Sequence, residues 1–423
     1  MKPIDEELNW DLTSLREHGL YRELRRVDSA QTPHIQIHGE PFLNFSSNDY
    51  LGLANDPLLK AAALKAVEKY GAGAGASRLI CGSLAPHHEL DETVAAFKGV
   101  EAALSFSTGY AAALGTICAL LDKRDVIVID RLVHASIVDA ARLCGAKLRV
   151  FGHNDMNDLE AILGWADRRS IELLSSVSPS SSGPGVQVIR RRPRVLIVTE
   201  SLFSMDGDFA PLSDLIALKE KFGAWLMVDE AHATGLYGAH RRGVAEGLGV
   251  ADQVEIQMGT LGKALGASGG FIAGSRTLID YLVNSARTFI FSTAPVPAAA
   301  AAATAGIHLI QSQEGEIRRE RLFDLIAQLE SGWAGFEPKP SGLASPILPL
   351  LMGDETEAVQ VAGALRAQGI FIPAIRYPTV ARGKARLRLT LTAAHTPNDV
   401  ATLKVALAEL GLNPKIRQRD STF

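Results

Sequence analysis

The chain has 423 residues, 47% hydrophobic and 21% charged, a globular composition that excludes a disordered tail or a small disulfide scaffold and has room for two or three packed units. With 43 Lys+Arg against 47 Asp+Glu the formal net charge is -4, so no global field draws it to nucleic acid or anionic lipid; small molecules or proteins are the expected partners. Cys81, Cys118 and Cys144 have no paired spacing, which argues against a disulfide framework or zinc cage and for a reducing, cytoplasmic setting.

In chain order, the first segment is too charged for a secretory signal and too acidic for a transit peptide, and reads as an amphipathic helical arm over 1–44. Short β-branched runs then alternate with helical stretches: Val126 to Asp130, Lys147 to Phe151, Val195 to Glu200, Trp225 to Glu230, Val254 to Met258 and Gly270 to Gly274. That rhythm predicts an α/β domain over 45–297 with a mainly parallel central sheet and helices on both faces. After Pro297 the rhythm is lost, and ILPLLM, IFIPAIR and RLRLTLT mix with helices, which predicts a smaller α+β domain over 298–423. Two stretches poor in charge, Ala102 to Leu121 and Thr288 to Gln313, do not read as membrane spans. The first has a Ser-Thr-Gly-Tyr turn at its centre, and the second is alanine-rich with Pro295 and Pro297 placed to open a helix. Ser175 to Gly185 reads as a loop without function.

In a parallel sheet, ligands gather at the carboxyl ends of the strands. There VDEAHATG places Asp229 at a strand end and His232 within a turn of it. The letters Asp-Glu-Ala-His match the acidic box of ATP-driven helicases, but the only Gly-Lys candidate in roughly the right setting, GTLGKALG, has Ala264 where a phosphate loop needs Ser or Thr and follows the box instead of preceding it. The glycines of YGAGAGASR follow a helical stretch, not a strand, so no dinucleotide fingerprint is formed; a flexible linker or a loop approaching a ligand fits that segment equally well. Lys263, among small residues at a strand end near Asp229, suits an imine-forming lysine of a pyridoxal phosphate enzyme, with the aspartate pairing the ring nitrogen and His232 the phenolic oxygen. Gly109 and Tyr110 offer backbone N–H groups at a helix start, Thr260 and Ser204 add hydroxyls, and His134 supplies a flat ring for stacking. Each alone fits capping or core packing equally well; together they fit one cofactor.

These residues lie in NFSSNDYLGL, STGYAAALG, DRLVHAS, FSMDGD, VDEAHATG, GTLGKALG and AIRYPTVARGKARLRLTLTAAH, and across nearly the whole chain the sequence resembles the α-oxoamine synthase family. The resemblance implies a fold-type-I, aminotransferase-like homodimer with shared active sites, using pyridoxal 5'-phosphate to condense an amino acid with an acyl thioester as carbon dioxide leaves. It implies the imine at Lys263, the ring-nitrogen partner at Asp229, stacking at His134, phosphate and ring contacts at Gly109, Tyr110, Ser204, His232 and Thr260, and substrate contacts at Arg22, Asn48, His134, Thr379 and Arg388. Arg388 is expected to hold the amino-acid carboxylate in a bidentate fork, whereas Arg386 is expected on a solvated strand face. The loop GAGAGASRLICG resembles the glycine-using branch, glycine C-acetyltransferase. AIRYPTV and RLRLTLTAAH resemble the branch that joins L-alanine to pimeloyl-CoA or pimeloyl-acyl-carrier protein, and alanine is the favoured reading. A DEAH-type NTPase and a catalytically silent scaffold are the more distant alternatives.

Overall fold

The strands, numbered in chain order, are β1 His34–Ile37, β2 Glu40–Asn44, β3 Ala102–Phe106, β4 Val126–Asp130, β5 Lys147–Phe151, β6 Val195–Glu200, β7 Trp225–Asp229, β8 Ile256–Thr260, β9 Gly270–Gly274, β10 Ile347–Gly353, β11 Ile370–Phe371, β12 Ala374–Ile375 and β13 Ala385–Thr390. They come from a computed structural model that describes residues 2–175, 191–331 and 343–412. Helix Met156–Ser175 ends where the Ser/Pro/Gly-rich loop was expected, and 176–185 lies outside the described residues.

A seven-stranded sheet in the order β3-β9-β8-β7-β6-β4-β5 organises one compact unit, Asp56–Phe203 with Phe209–Gly315. From β5 to β8 neighbouring strands are parallel; β9 runs antiparallel to both β8 and β3. Val126, Ile127, Val128 and Ile129 are no more than 2% exposed. Continuous apolar runs of this kind are what a parallel sheet covered on both faces requires. Strands β4, β5, β6 and β9 have the bounds read from the sequence. Strand β8 starts two residues later than expected because Val254 closes a tight turn, its N–H donating to the Ala251 carbonyl at 3.3 Å. It then runs on to Thr260, three residues from Lys263.

The two charge-poor stretches resolve as β3 followed by helix Gly109–Leu120, and as helix Pro297–Gln311. Among the described residues no helix is long and apolar enough to cross a membrane. Helix Pro297–Gln311 packs on helices Pro57–Tyr70 and Ala85–Lys98, and so belongs to the sheet unit and not to the C-terminal region.

The second unit joins Met1–Asn55, Ser204–Asp208 and Glu316–Phe423. It contains the sheets β1-β2-β11 and β10-β13-β12. Only Pro3–Glu17 of the expected helical arm is helical, and it buries none of its side chains. Residues 34–44 instead form an antiparallel hairpin, because HIQI alternates exposed and buried side chains with the period of a strand. Residues 45–55 also belong here: the Phe45 carbonyl accepts from the Thr390 N–H at 2.8 Å and that of Tyr50 from the Ala393 N–H at 2.8 Å. IFIPAIR splits into β11 and β12 around Pro373, whose missing N–H cannot extend a ladder.

Candidate active site

Strand β7 delivers Asp229 to its carboxyl end, 5% exposed, where Oδ1 accepts from the Ala231 N–H at 2.8 Å. Burial raises the Asp229 carboxyl above the ordinary carboxylate range, opposed by the charge of Lys263, the Ala231 hydrogen bond and the charge of His134. A carboxylate buried in this way fits a cationic N–H partner, which would offset the desolvation.

The chain turns sharply after Asp229 because the Glu230 carbonyl accepts from the Ala233 and Thr234 N–H groups at 2.9 and 2.8 Å, which carries His232 into a buried position. The Lys263 ammonium donates to His232 Nε2 at 2.8 Å. Lys263 is held in the loop between β8 and β9, which is closed by Leu261 N–H to the Gly269 carbonyl at 2.9 Å and by Gly266 N–H to the Lys263 carbonyl at 2.9 Å. Thr260 Oγ1 donates to the Gly269 carbonyl at 3.0 Å and accepts from the Gly262 N–H at 3.3 Å, fixing the same loop.

His134 caps helix Ala135–Leu143: its Nδ1 accepts from the Ser136 N–H at 3.2 Å and lies 2.8 Å from the Ser136 hydroxyl. An Nδ1 engaged as acceptor leaves the proton of the neutral ring on Nε2. Burial pushes the imidazole below its usual range; Asp229 opposes the shift and Lys263 adds to it. The residue stays accessible, presenting a flat ring of fixed tautomer.

At the start of helix Gly109–Leu120, Thr108 takes the Ala111 N–H on Oγ1 at 3.0 Å and the Ala112 N–H on its carbonyl at 3.1 Å. The N–H groups of Gly109 and Tyr110 remain at the positive helix end, where a phosphate is favoured. Close approach makes this turn possible. A Cβ on Gly270 would sit 2.6 Å from Gly109 Cα and 2.8 Å from the Thr108 carbonyl oxygen, so the first residue of β9 has no room for a side chain. The Tyr110 hydroxyl points away, donating to Asp139 at 2.8 Å.

Lys263, Asp229, His134, His232, Thr260, Gly109 and Tyr110 thus all lie on the sheet unit, and they fit pyridoxal 5'-phosphate: an amine, a ring-nitrogen partner, a stacking face and a phosphate cradle. Ser204 belongs to the second unit, where its carbonyl accepts from Arg388 Nε at 2.5 Å.

Arg388, 7% exposed on β13, also donates from Nη1 to Asn48 Oδ1 at 3.0 Å and from Nη2 to the Tyr50 hydroxyl at 3.3 Å. A guanidinium has five N–H groups, so one on each Nη is left for a carboxylate. Arg22 Nη2 lies 3.5 Å from both the Tyr377 carbonyl and Thr379 Oγ1, which places these two expected substrate contacts side by side.

The solvated face expected for Arg386 is wrong. Strand β13 lies between β10 and β12, all six of its residues are buried, and Arg386 Nη1 donates to Asp206 Oδ1 at 2.7 Å and the Met205 carbonyl at 3.0 Å. The acidic-box reading fails for a similar reason. Glu230 is 1% exposed, paired with Lys98 Nζ at 3.2 Å, and accepts the Ala245 N–H at 2.9 Å, so its carboxylate is committed to the fold.

Lys98, Tyr50 and Asp206 were not singled out from the sequence. Tyr50 and Asp206 stand inside quoted motifs, while Lys98 sits near the end of an ordinary helix and carries no local signal. Nor was Asp130, whose buried carboxylate accepts from the N–H groups of Leu132 and Asn154 at 2.7 and 2.9 Å and shapes the turn leading to His134.

The family described as aminotransferase class I and II matches residues 40–407. An 8-amino-7-oxononanoate synthase from Geotalea daltonii is 46% identical over 401 residues, 95% of this chain and 96% of that protein. A solved serine palmitoyltransferase from S. paucimobilis, with a bound PLP-myriocin aldimine, has a TM-score of 0.84 at 27% identity and covers 97% of this chain and 100% of its own. A solved 8-amino-7-oxononanoate synthase from Francisella tularensis has a TM-score of 0.69 at 26% identity, covering 88% of this chain and 98% of its own.

Proposed function

The chain belongs to the class I and II aminotransferase family and within it to the α-oxoamine synthases, and on that premise we propose that it condenses L-alanine with a pimeloyl thioester, releasing carbon dioxide and free thiol to give the biotin precursor 8-amino-7-oxononanoate. It is a pyridoxal 5'-phosphate enzyme. The observation that carries the catalytic reading is the Lys263 amine, 2.8 Å from His232 and in electrostatic contact with Asp229 and His134 at the carboxyl end of the sheet.

Bound pyridoxal phosphate supplies an electron sink for the α-carbon of the amino acid it carries. Lys263 would hold the cofactor, and its free amine would serve as the general base for the α-proton of L-alanine. Asp229 would pair with the ring nitrogen and favour its protonated form. His134, with the proton of its neutral ring on Nε2, would offer the cofactor ring a flat stacking face. The N–H groups of Gly109 and Tyr110 would receive the phosphate, Thr260 fixes the loop that carries Lys263, and His232 would hydrogen-bond the ring oxygen. Arg388 grips the alanine carboxylate with its two remaining N–H groups, and Asn48 and Tyr50 keep that fork from rotating. Arg22 and Thr379 take the acyl partner. In the overall change a carbon–carbon bond forms between the alanine α-carbon and the thioester carbonyl, the thiol departs, and the former alanine carboxylate leaves as carbon dioxide. We place the enzyme in the cytoplasm as a homodimer with shared active sites.

The test is turnover of the cofactor-loaded protein with L-alanine, glycine and L-serine, each with pimeloyl-CoA, following free thiol and product mass. Alanine should give the highest kcat/KM; a preference for glycine would move the enzyme to the branch that its GAGAGASRLICG loop resembles. Lys263→Ala should have no measurable turnover, and activity within about tenfold of the parent would remove Lys263 from its role.

A further inference from the structure

The unit that contains both chain ends has a cleft of about 460 Å³ whose wall includes Arg22, Arg25, Arg366 and Arg376 above a floor that includes Phe371 and Pro373. Among the described residues Glu23 is the only carboxylate in its lining. Among the described residues none of the four arginines makes an ion pair with a carboxylate. Arg376 is pinned by the carbonyls of Gly19 and Tyr21, Arg22 reaches only the Tyr377 carbonyl and the Thr379 hydroxyl, and Arg25 lies over the Phe371 ring at 5.7 Å. Burial lowers the basicity of the Arg376 guanidinium, and the charges of Arg22 and Arg25 lower it further. Four like charges around one cleft repel one another, and an anion seated among them relieves that cost.

We propose that this cleft receives the phosphate of the acyl thioester's carrier, the pantetheine phosphate common to coenzyme A and a carrier protein, with Arg25 and Arg366 as contacts beyond those that hold the acyl group. The assignment rests on the thioester condensation proposed above. Guanidinium forks match phosphate oxygens two at a time, which a diffuse surface charge does not. The floor of Phe371 and Pro373 suits the gem-dimethyl and methylene groups of the thin pantetheine chain. Arg22 borders both the cleft and Thr379, so an acyl group held at Thr379 would have its carrier arm beside the arginines.

The double variant Arg25→Gln, Arg366→Gln tests this, since both side chains are exposed and the substitutions keep the polar surface. Coenzyme A and pantetheine, titrated calorimetrically into the cofactor-loaded enzyme, are the binding probes. The variant should bind coenzyme A about tenfold more weakly than the parent. Pantetheine, which lacks the phosphate, should show no such difference. In turnover, the ratio of kcat/KM for pimeloyl-CoA over pimeloyl-pantetheine should fall by the same factor. A parallel loss with the carrier-protein thioester supports the shared phosphate, and a loss confined to one carrier supports the cleft and identifies that carrier as its occupant. Equal coenzyme A affinity in parent and variant, with an unchanged ratio, overturns the proposal. Coenzyme A binding is read without turnover, so a parent that binds it through these arginines yet fails to condense alanine refutes the catalytic reading alone.

Discussion

Glu230 stands one residue beyond Asp229, and its charge alone would push Asp229 toward its neutral form. The fold cancels that charge with Lys98, whose ammonium is 1% exposed and donates both to Glu230 Oε2 and to the Arg242 carbonyl at 2.5 Å. Space around the pair is already used: a Cβ on Gly243, whose φ is +141°, would lie 1.3 Å from Glu230 Oε2. Such a pair adds little net stability over apolar residues of the same volume, but removing one partner leaves a charge in a dry interior. Lys98→Met should therefore destabilise the protein by about 3 kcal/mol and shift its urea midpoint downward without changing the slope. The same variant should bind pyridoxal phosphate more weakly, because the unpaired Glu230 raises the Asp229 carboxyl further. A midpoint equal to that of the parent would mean that the Lys98–Glu230 pair does not hold this part of the fold.

At the scale of the element, the strand ends carry most of what could be read in advance. Continuous apolar runs such as VIVID and VLIVTE leave one choice of strand, and the parallel sheet they imply fixes where Asp229, His134 and Lys263 must emerge. What could not be read was which side chains another element would cover. RLRLT looks like an alternating strand with one wet face, and only the packing of β13 between β10 and β12, with Asp206 from a distant segment, makes Arg386 a buried, paired residue. The N-terminal arm misled for a related reason: its charged helix ends at Glu17, and after an irregular stretch His34–Ile37 and Glu40–Asn44 pair as a hairpin whose strands are too short for the change of period to show. Gly270 belongs to the same class, an unremarkable first residue of a strand whose missing side chain admits the Thr108–Gly109 turn. Gly270→Ala must push that turn outward, so the affinity for pyridoxal phosphate should fall about tenfold or more as Gly109 and Tyr110 lose their phosphate geometry. Equilibrium titration of the apoprotein measures this; an affinity within twofold of the parent would mean that the helix end is not the phosphate cradle.

Across the whole molecule, the unit built from the two chain ends is closed by one histidine. The buried His395 ring stacks on Phe45 with centroids 4.5 Å apart, its Nε2–H donates to the Asn44 carbonyl at 3.0 Å, and its Nδ1 accepts from the Thr392 N–H at 3.0 Å. In the neutral form both ring nitrogens are satisfied, Nε2 as donor and Nδ1 as acceptor. Burial accordingly lowers the imidazole to about 4, from 6.5 in the unfolded chain. Between those values the unfolded state binds a proton that the native state refuses. The stabilisation is therefore complete above pH 6.5 and drains away as the pH falls toward 4, for a loss of roughly 3 kcal/mol from this group. Denaturant titrations at intervals across that range should show the native state losing stability with the slope of one proton. His395→Gln can keep a donor to Asn44 but cannot titrate; it should be less stable than the parent at neutral pH and should lack that one-proton slope. If the variant shows the same acid dependence as the parent, the proton is taken up elsewhere, and the seal between residues 44–45 and 392–395 is insensitive to acid.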